Sequence, residues 1–142
     1  MRHFATCAMA LVVAFGSVVA AQKAATPDDL DKAMKRLQPA NAAAGKAIQS
    51  MAYADAKTHV ATVKQALIDA DAFWVASKRD DAIKLSKDAV AKVTALEQAL
   101  SAPTPDQQAV LAAQKQVGGT CASCHKAFRA QDENQQYILK LQ

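Results

Sequence analysis

Apolar residues recur every three or four positions along most of the chain, which is the spacing of one face of an α-helix. The stripes span residues 30–51, 56–74, 82–100 and 110–128, and short polar segments separate them. Short connections favour antiparallel neighbours in space. The pattern therefore predicts an all-α fold, an antiparallel up-down-up-down four-helix bundle.

Capping residues and prolines indicate where these helices begin and bend. Thr26 precedes a proline and two acidic residues, a typical helix start. Pro39 lies inside the first stripe and predicts a kink, or a break into two short helices. Thr104 and Pro105 predict the cap and first residue of the fourth helix. The polar tail, residues 131–142, either extends that helix or leaves it.

The first 21 residues have the pattern of a secretory signal peptide. Arg2 and His3 form a short basic start, an uncharged apolar stretch follows, and small residues at positions 19–21 offer a cleavage site. A membrane anchor is the rival interpretation, but the apolar stretch is short for a spanning helix and lacks strong flanking charges. We expect a signal peptide at 1–21, a mature domain at 22–142 and a periplasmic location, with no membrane association after cleavage.

Composition and charge narrow the function of the mature domain. The chain has 142 residues, of which 51% are hydrophobic and only 5% aromatic, as expected for one soluble helical domain. Removing Arg2 with the signal lowers the 17 basic residues to 16, against 13 acidic residues. No cluster of Lys and Arg interleaved with aromatic residues occurs, so no nucleic-acid partner is expected.

Two cysteines and a histidine stand together in the fourth stripe, as Cys121-x-x-Cys124-His125. On a helix these positions are i, i+3 and i+4 and share one face. C-x-x-C-H is the attachment signature of c-type haem, in which two thiols bond to the porphyrin and the imidazole coordinates the iron. The motif predicts one covalent haem c per chain, with His125 as an iron ligand.

Other chemistries account for fewer features of the Cys121-x-x-Cys124-His125 motif than haem attachment does. A zinc site needs about four ligands, and the mature chain adds only His59 to these three. A thioredoxin-like redox pair requires a preceding strand, which the pattern lacks. A structural disulfide leaves the histidine unexplained. A haem-free exported helical binding module is a further alternative, and it would be colourless when purified.

The segment "CASCHKAFR" in the last of four helices resembles the class II c-type cytochromes, the cytochrome c′ and cytochrome c556 group. The resemblance covers nearly all of residues 22–131. It implies a monohaem electron carrier that exchanges electrons with periplasmic redox partner proteins and is not an enzyme. Whether two bundles form a homodimer is left open.

The bundle topology also indicates what faces the iron from the other side. The end of the fourth helix lies beside the start of the first, so residues 30–37 should face His125, and Met34 lies among them. Met51 is seventeen residues further along, about 25 Å on a helix, and His59 belongs to that same far end. Met34 is then either an ordinary core methionine or an iron ligand.

The resemblance implies a ligand role for Met34, because cytochrome c556-like members carry a methionine ligand in the first helix, often followed by Lys as in "AMKR" here. Ligation by His125 and Met34 would make the haem low-spin. The alternative is a five-coordinate, cytochrome c′-like protein that binds gases (NO or CO). The Arg-Gln pair common in that group is Leu30-Asp31 here, which weakens this alternative.

Several other side chains have two interpretations each. Phe73 and Trp74 either line the porphyrin or fill the core. Lys35, Arg36 and Arg129 either pair with haem propionates or remain solvated. The sequence leaves the roles of Arg36, Arg129, Trp74 and the C-terminal tail open.

Overall fold

Four helices and a short hairpin form the part of the chain that a computed structural model describes, residues 25–140. The predicted signal peptide, residues 1–21, lies outside the described residues. The elements are α1 (Pro27–Gln49), α2 (Tyr53–Ala76), α3 (Asp80–Leu100), α4 (Gln107–Phe128), β1 (Arg129–Gln131) and β2 (Tyr137–Leu139). Among these helices, none is long and apolar enough to cross a membrane.

The helices alternate in direction around one core, which confirms the predicted four-helix bundle. One end of the bundle combines the starts of α1 and α3 with the ends of α2 and α4, in a group of side chains that we name the end cluster. Its buried members are Leu30, Ala70, Phe73, Trp74, Ala82 and Phe128. Successive helices pack extensively on each other, whereas α1 and α4 share the thinnest interface between neighbouring helices.

A second apolar group, the central cluster, fills the rest of the bundle. It consists mainly of Val, Leu and Ala at the stripe positions that the sequence pattern identified. Its buried members are Leu37, Ala40, Ala44, Ala47, Ile48, Ala56, Val60, Val63, Ala66, Leu67, Ala89, Val93, Leu96, Leu100, Val110 and Val117. Many of these residues are alanines. Their small side chains allow the helix backbones to pack closely, and alanine has a high helix propensity.

The start of α1 is fixed by a reciprocal cap. The Thr26 amide donates to the Asp29 carboxylate at 2.9 Å, and the Asp29 amide donates to Thr26 Oγ1 at 3.3 Å. The helix then continues past Pro39 without a break into two helices. Because proline has no N–H, the Lys35 carbonyl loses its usual donor there. The alternative of two short helices is therefore wrong, and α1 is a single helix.

The predicted start of α4 is wrong by two residues. Asp106, and not Thr104, is the N-cap, and Pro105 lies before the helix. The Asp106 carboxylate accepts a hydrogen bond from the Ala109 amide at 2.7 Å. A carboxylate at this position also interacts favourably with the helix dipole. Asp106 therefore caps α4, and Thr104 does not.

The tail leaves α4 at Phe128 and turns back as an antiparallel hairpin. Arg129 pairs with Leu139, and Gln131 pairs with Tyr137. The turn is held by Asp132, whose side-chain oxygen accepts from the amides of residues 134 and 136 at 2.9 and 2.8 Å. Leu139 packs against the end cluster. The hairpin is therefore attached to the end of the bundle that carries the C-x-x-C-H motif.

Replacing Leu37 by alanine tests the packing of α1. Leu37 belongs to the central cluster and is 9% exposed, so removing its isobutyl group should lower the free energy of unfolding by about 2–5 kcal/mol. Chemical denaturation measures this change. Gln49→Ala, at an exposed position of the same helix, is the control and should change stability by less than about 0.5 kcal/mol. Equal effects of the two substitutions would mean that α1 packs through another face.

Candidate functional site

The C-x-x-C-H motif lies in the last two turns of α4, within a continuous helix. Cys121, Cys124 and His125 therefore share one face, as predicted. Two nearby hydroxyls are used within the helix: Thr120 donates to the Val117 carbonyl at 2.7 Å, and Ser123 donates to the Gly119 carbonyl at 3.0 Å. The thiols and the imidazole are the groups of this segment that remain available for chemistry.

The two thiols lie at the junction of the two apolar clusters. Cys121 packs against the central cluster and Cys124 against the end cluster, and both are half-buried. Met34 on α1 is also half-buried and contacts both clusters. The structure thus brings Met34 to the same junction as the two cysteines.

A contact between α1 and α4 indicates how the two helices are aligned. A β-carbon added at Gly45 would lie only 2.8 Å from Nε2 of Gln114, so these two residues meet. The helices are antiparallel and each rises 1.5 Å per residue, so equal numbers of residues from this contact reach the same level. Eleven residues before Gly45 is Met34, and eleven residues after Gln114 is His125. Met34 and His125 therefore lie at about the same level, roughly 16 Å along the helices from the contact.

The line along which α1 and α4 face each other, the α1/α4 seam, is closed at one end and open near the motif. Gln114, Gly118, Cys121 and His125 follow at spacings of four, three and four on α4 and share the side toward α1. Gln114 meets Gly45, but a β-carbon at Gly118 would have no atom within 4 Å in the described chain. The seam therefore widens between the Gly45–Gln114 contact and the motif.

The imidazole of His125 borders a surface groove of about 350 Å³ between α4 and the hairpin. Burial lowers the pKa of His125, and the positive charge of Arg129 lowers it further. Both effects favour the neutral ring, which is the form that coordinates a metal. The Arg129 amide also donates to the His125 carbonyl. This backbone hydrogen bond holds Arg129 beside the motif.

The cysteines are unpaired and protonated at neutral pH. Burial raises the pKa of both thiols, and repulsion from Cys121 raises that of Cys124 further. Within residues 25–140, no group of three or more His, Cys, Asp or Glu side chains is arranged to hold a metal ion. The described residues therefore give no support to a zinc site. Two free thiols beside an accessible imidazole are suited to covalent attachment of a group that the imidazole then ligates.

The aromatic residues form the apolar wall next to this site. Trp74 contacts Phe73 at a centroid distance of 4.9 Å and Phe128 at 5.0 Å, which joins the end of α2 to the end of α4. The guanidinium of Arg79 lies 5.3 Å from the centre of the Phe128 ring. Phe73 and Trp74 are therefore core residues of the end cluster, at the same end of the bundle as the motif.

The structure also shows where the other residues considered as haem contacts lie. Lys35 pairs with Asp31 on its own helix, and Arg36 pairs with Asp69 of α2, each at 2.6 Å. Both cations already have a carboxylate partner. Met51 lies exposed in the turn after α1, at the far end of the bundle.

Sequence reasoning missed two features of the site. Gly45 of α1 lies against the Gln114 side chain of α4, and a single glycine in a helical stripe did not indicate such a contact. The hairpin beside His125 was also not predicted, because β1 and β2 have only three residues each. Strands of that length leave no recognisable alternation of polar and apolar residues.

Alkylation tests the burial of the two thiols in the haem-free mature chain, residues 22–142. Because the pKa of each thiol is raised, the reactive thiolate is scarce at neutral pH. Modification by iodoacetamide should be slower than for the same chain in urea, and its rate should rise at a higher pH than for free cysteine. Mass spectrometry follows the reaction. Equal rates with and without urea would show that the thiols are not packed as described.

Comparisons of the chain with protein-family models, with curated proteins and with solved structures found no match. The function is therefore inferred from the chain's own residues. The relevant facts are two free thiols and an imidazole on one face of α4, and a methionine level with that imidazole across the seam.

Proposed function

We propose that this chain is a monohaem c-type cytochrome that transfers electrons. The observation that carries the proposal is that Met34 contacts the same two apolar clusters as Cys121 and Cys124, at about the level of His125 across the α1/α4 seam. The free thiols of Cys121 and Cys124 lie at the same junction of the apolar clusters. The residues present therefore fit a haem group held between α1 and α4.

Each residue has a distinct role in this proposal. The thiols of Cys121 and Cys124 form thioether bonds to the two vinyl groups, which keeps the group attached through repeated oxidation and reduction. The imidazole of His125 coordinates the iron from α4, and the thioether of Met34 coordinates it from α1. When bound, the haem iron alternates between its ferric and ferrous forms and so carries one electron.

The surroundings of these residues suit electron transfer more than catalysis. Ligands on both sides leave no open iron position for a substrate, and a thioether ligand raises the reduction potential. Trp74 and Phe128 place an apolar wall at the same end of the bundle and exclude water there.

The cellular setting follows from the sequence. The expected signal peptide at 1–21 would deliver the chain to the periplasm, where haem is attached to exported cytochromes. Its partners would be redox proteins of that compartment. We do not expect enzymatic activity.

Covalent attachment is tested by the mass of the denatured mature protein after export in a host that matures c-type cytochromes. The expected mass is that of the chain plus one haem, because the thioether bonds survive unfolding. Cys121→Ser and Cys124→Ser should each leave one thioether and a less stable holoprotein, whereas Ser123→Ala, between them, should retain both bonds. Complete extraction of haem by acidic acetone would contradict the proposal.

Replacing Met34 by alanine tests the second ligand. The native ferric protein should be low-spin with a weak far-red band of sulfur-to-iron charge transfer, and M34A should lose both features. Its reduction potential should fall, since the thioether favours ferrous iron. Carbon monoxide should bind slowly to the native protein and rapidly to M34A.

Met51→Ala is the matched control for this experiment. Met51 is exposed at the far end of the bundle, so its loss should leave spin state, potential and carbon monoxide binding unchanged. A native protein that is already high-spin, with spectra that M34A does not alter, would exclude Met34 as a ligand. It would favour the five-coordinate, gas-binding alternative.

A further inference from the structure

The groove beside His125 is bordered by cationic and aromatic side chains from two elements. His125, Lys126 and Arg129 line it from α4 and its end, and Gln131 and Tyr137 line it from the hairpin. Tyr137 is 63% exposed, so its ring is available at the surface. The proposed iron ligand thus reaches the surface at a place that the hairpin has shaped.

The charge around this groove is positive and uncompensated. No Asp or Glu occurs from residue 107 to residue 131. Lys126, Arg129 and Lys140 form no ion pair in the described part of the chain, whereas Lys35, Arg36, Lys64 and Lys92 each pair with a carboxylate. These three cations leave a positive field at the surface next to His125.

The nearest carboxylates along the chain belong to the hairpin turn. Asp132 accepts hydrogen bonds from two amides of that turn, which partly satisfies its charge. Glu133 follows it in the turn, outside the residues that line the groove. Neither acidic residue of the hairpin lines the groove or forms an ion pair with the three cations in the described part of the chain.

The hairpin holds these groups in place. The Arg129 guanidinium lies 4.0 Å from the centre of the Tyr137 ring. The Lys140 amide donates to the Phe128 carbonyl at 2.8 Å, and the Lys140 ammonium donates to the Lys126 carbonyl at 3.2 Å. A surface already ordered in this way loses little conformational freedom when a partner binds.

We propose that Lys126, Arg129, Tyr137 and Lys140, the hairpin face, form the docking site for an acidic redox protein. The inference rests on the proposed function. Carboxylates of the partner would lie against the three cations, and the Tyr137 ring would supply the apolar contact. A partner held at this face would lie beside the imidazole of His125, so an electron given up by a bound ferrous haem would be accepted here by the oxidised centre of the partner. The docking site and the electron exit would coincide.

A gold electrode coated with a carboxylate-terminated monolayer serves as the acidic surface, and a hydroxyl-terminated monolayer serves as the neutral one. The native holoprotein should adsorb on the carboxylate surface at low salt and exchange electrons rapidly, and both effects should weaken as salt screens the charges. The double variant K126E/K140E should reduce the electron-transfer rate by about tenfold or more. Circular dichroism checks that the variant is folded.

The control variant K46E/K57E changes the net charge equally, at exposed positions toward the opposite end of the bundle. It should alter the rate by less than about twofold, since these charges lie more than a Debye length from His125. Tyr137→Ala should lower the rate without changing its dependence on salt. Equal losses in both double variants would mean that only net charge matters, and would overturn the proposal.

Two other results, binding to a membrane and failure of the proposed function, can be distinguished from failure of the docking face. Vesicles of phosphatidylglycerol test an anionic membrane as the occupant: loss of vesicle binding by K126E/K140E with unchanged electrode kinetics would overturn the proposal in favour of a membrane surface. Failure of the proposed function would appear earlier, as a protein without covalent haem in the mass spectrum. A haem protein with native spectra and electrode rates insensitive to K126E/K140E would refute the docking face alone.

Discussion

The contact between Gly45 of α1 and the Gln114 side chain of α4 is the interaction that relates the two helices of the site to each other. A β-carbon at position 45 would lie 2.8 Å from Nε2 of Gln114, the end of a flexible side chain that would have to move aside. Because two helices have the same rise, this contact indicates the approximate level of the other pairs along the seam. It places Met34 at about the level of His125, each eleven residues from the contact.

The widening of the seam toward the motif has a counterpart in the composition of α4. Only Val110, Val117, Thr120 and Phe128 of this helix are buried, the fewest of any of the four helices. A helix that buries so little apolar surface gains little from packing. A covalently attached apolar group between α1 and α4 would supply the missing contact area, so the weakness of this interface is consistent with the proposed cofactor.

Much of the fold follows directly from the sequence, because amphipathic periodicity dictates which face of each helix is buried. The stripe residues predicted the central cluster, and the cap at Thr26 was evident from local chemistry. The start of α4 was misjudged because Thr104 and Asp106 are both good caps, and only the Ala109 hydrogen bond distinguishes them. For the candidate site, spacing predicted that the motif residues share one face of α4, and topology predicted that Met34 lies at their end of the bundle, where it contacts the same clusters as the cysteines. The hairpin depends on contacts of Leu139 and Lys140 with α4 and the end cluster, which no local pattern encodes.

The alignment of Met34 with His125 also has a consequence for how the chain folds. Ninety-one positions separate the two residues, and bringing together the ends of a flexible segment of that length costs about 4 kcal/mol in chain entropy. The local helix pairs α1–α2, α2–α3 and α3–α4 can each form without this closure. The α1/α4 seam should therefore be the last interface to form and the first to open. The proposed iron ligation would act as a reversible cross-link between the first and last helices, so the compactness of the bundle would depend on the oxidation state of its metal.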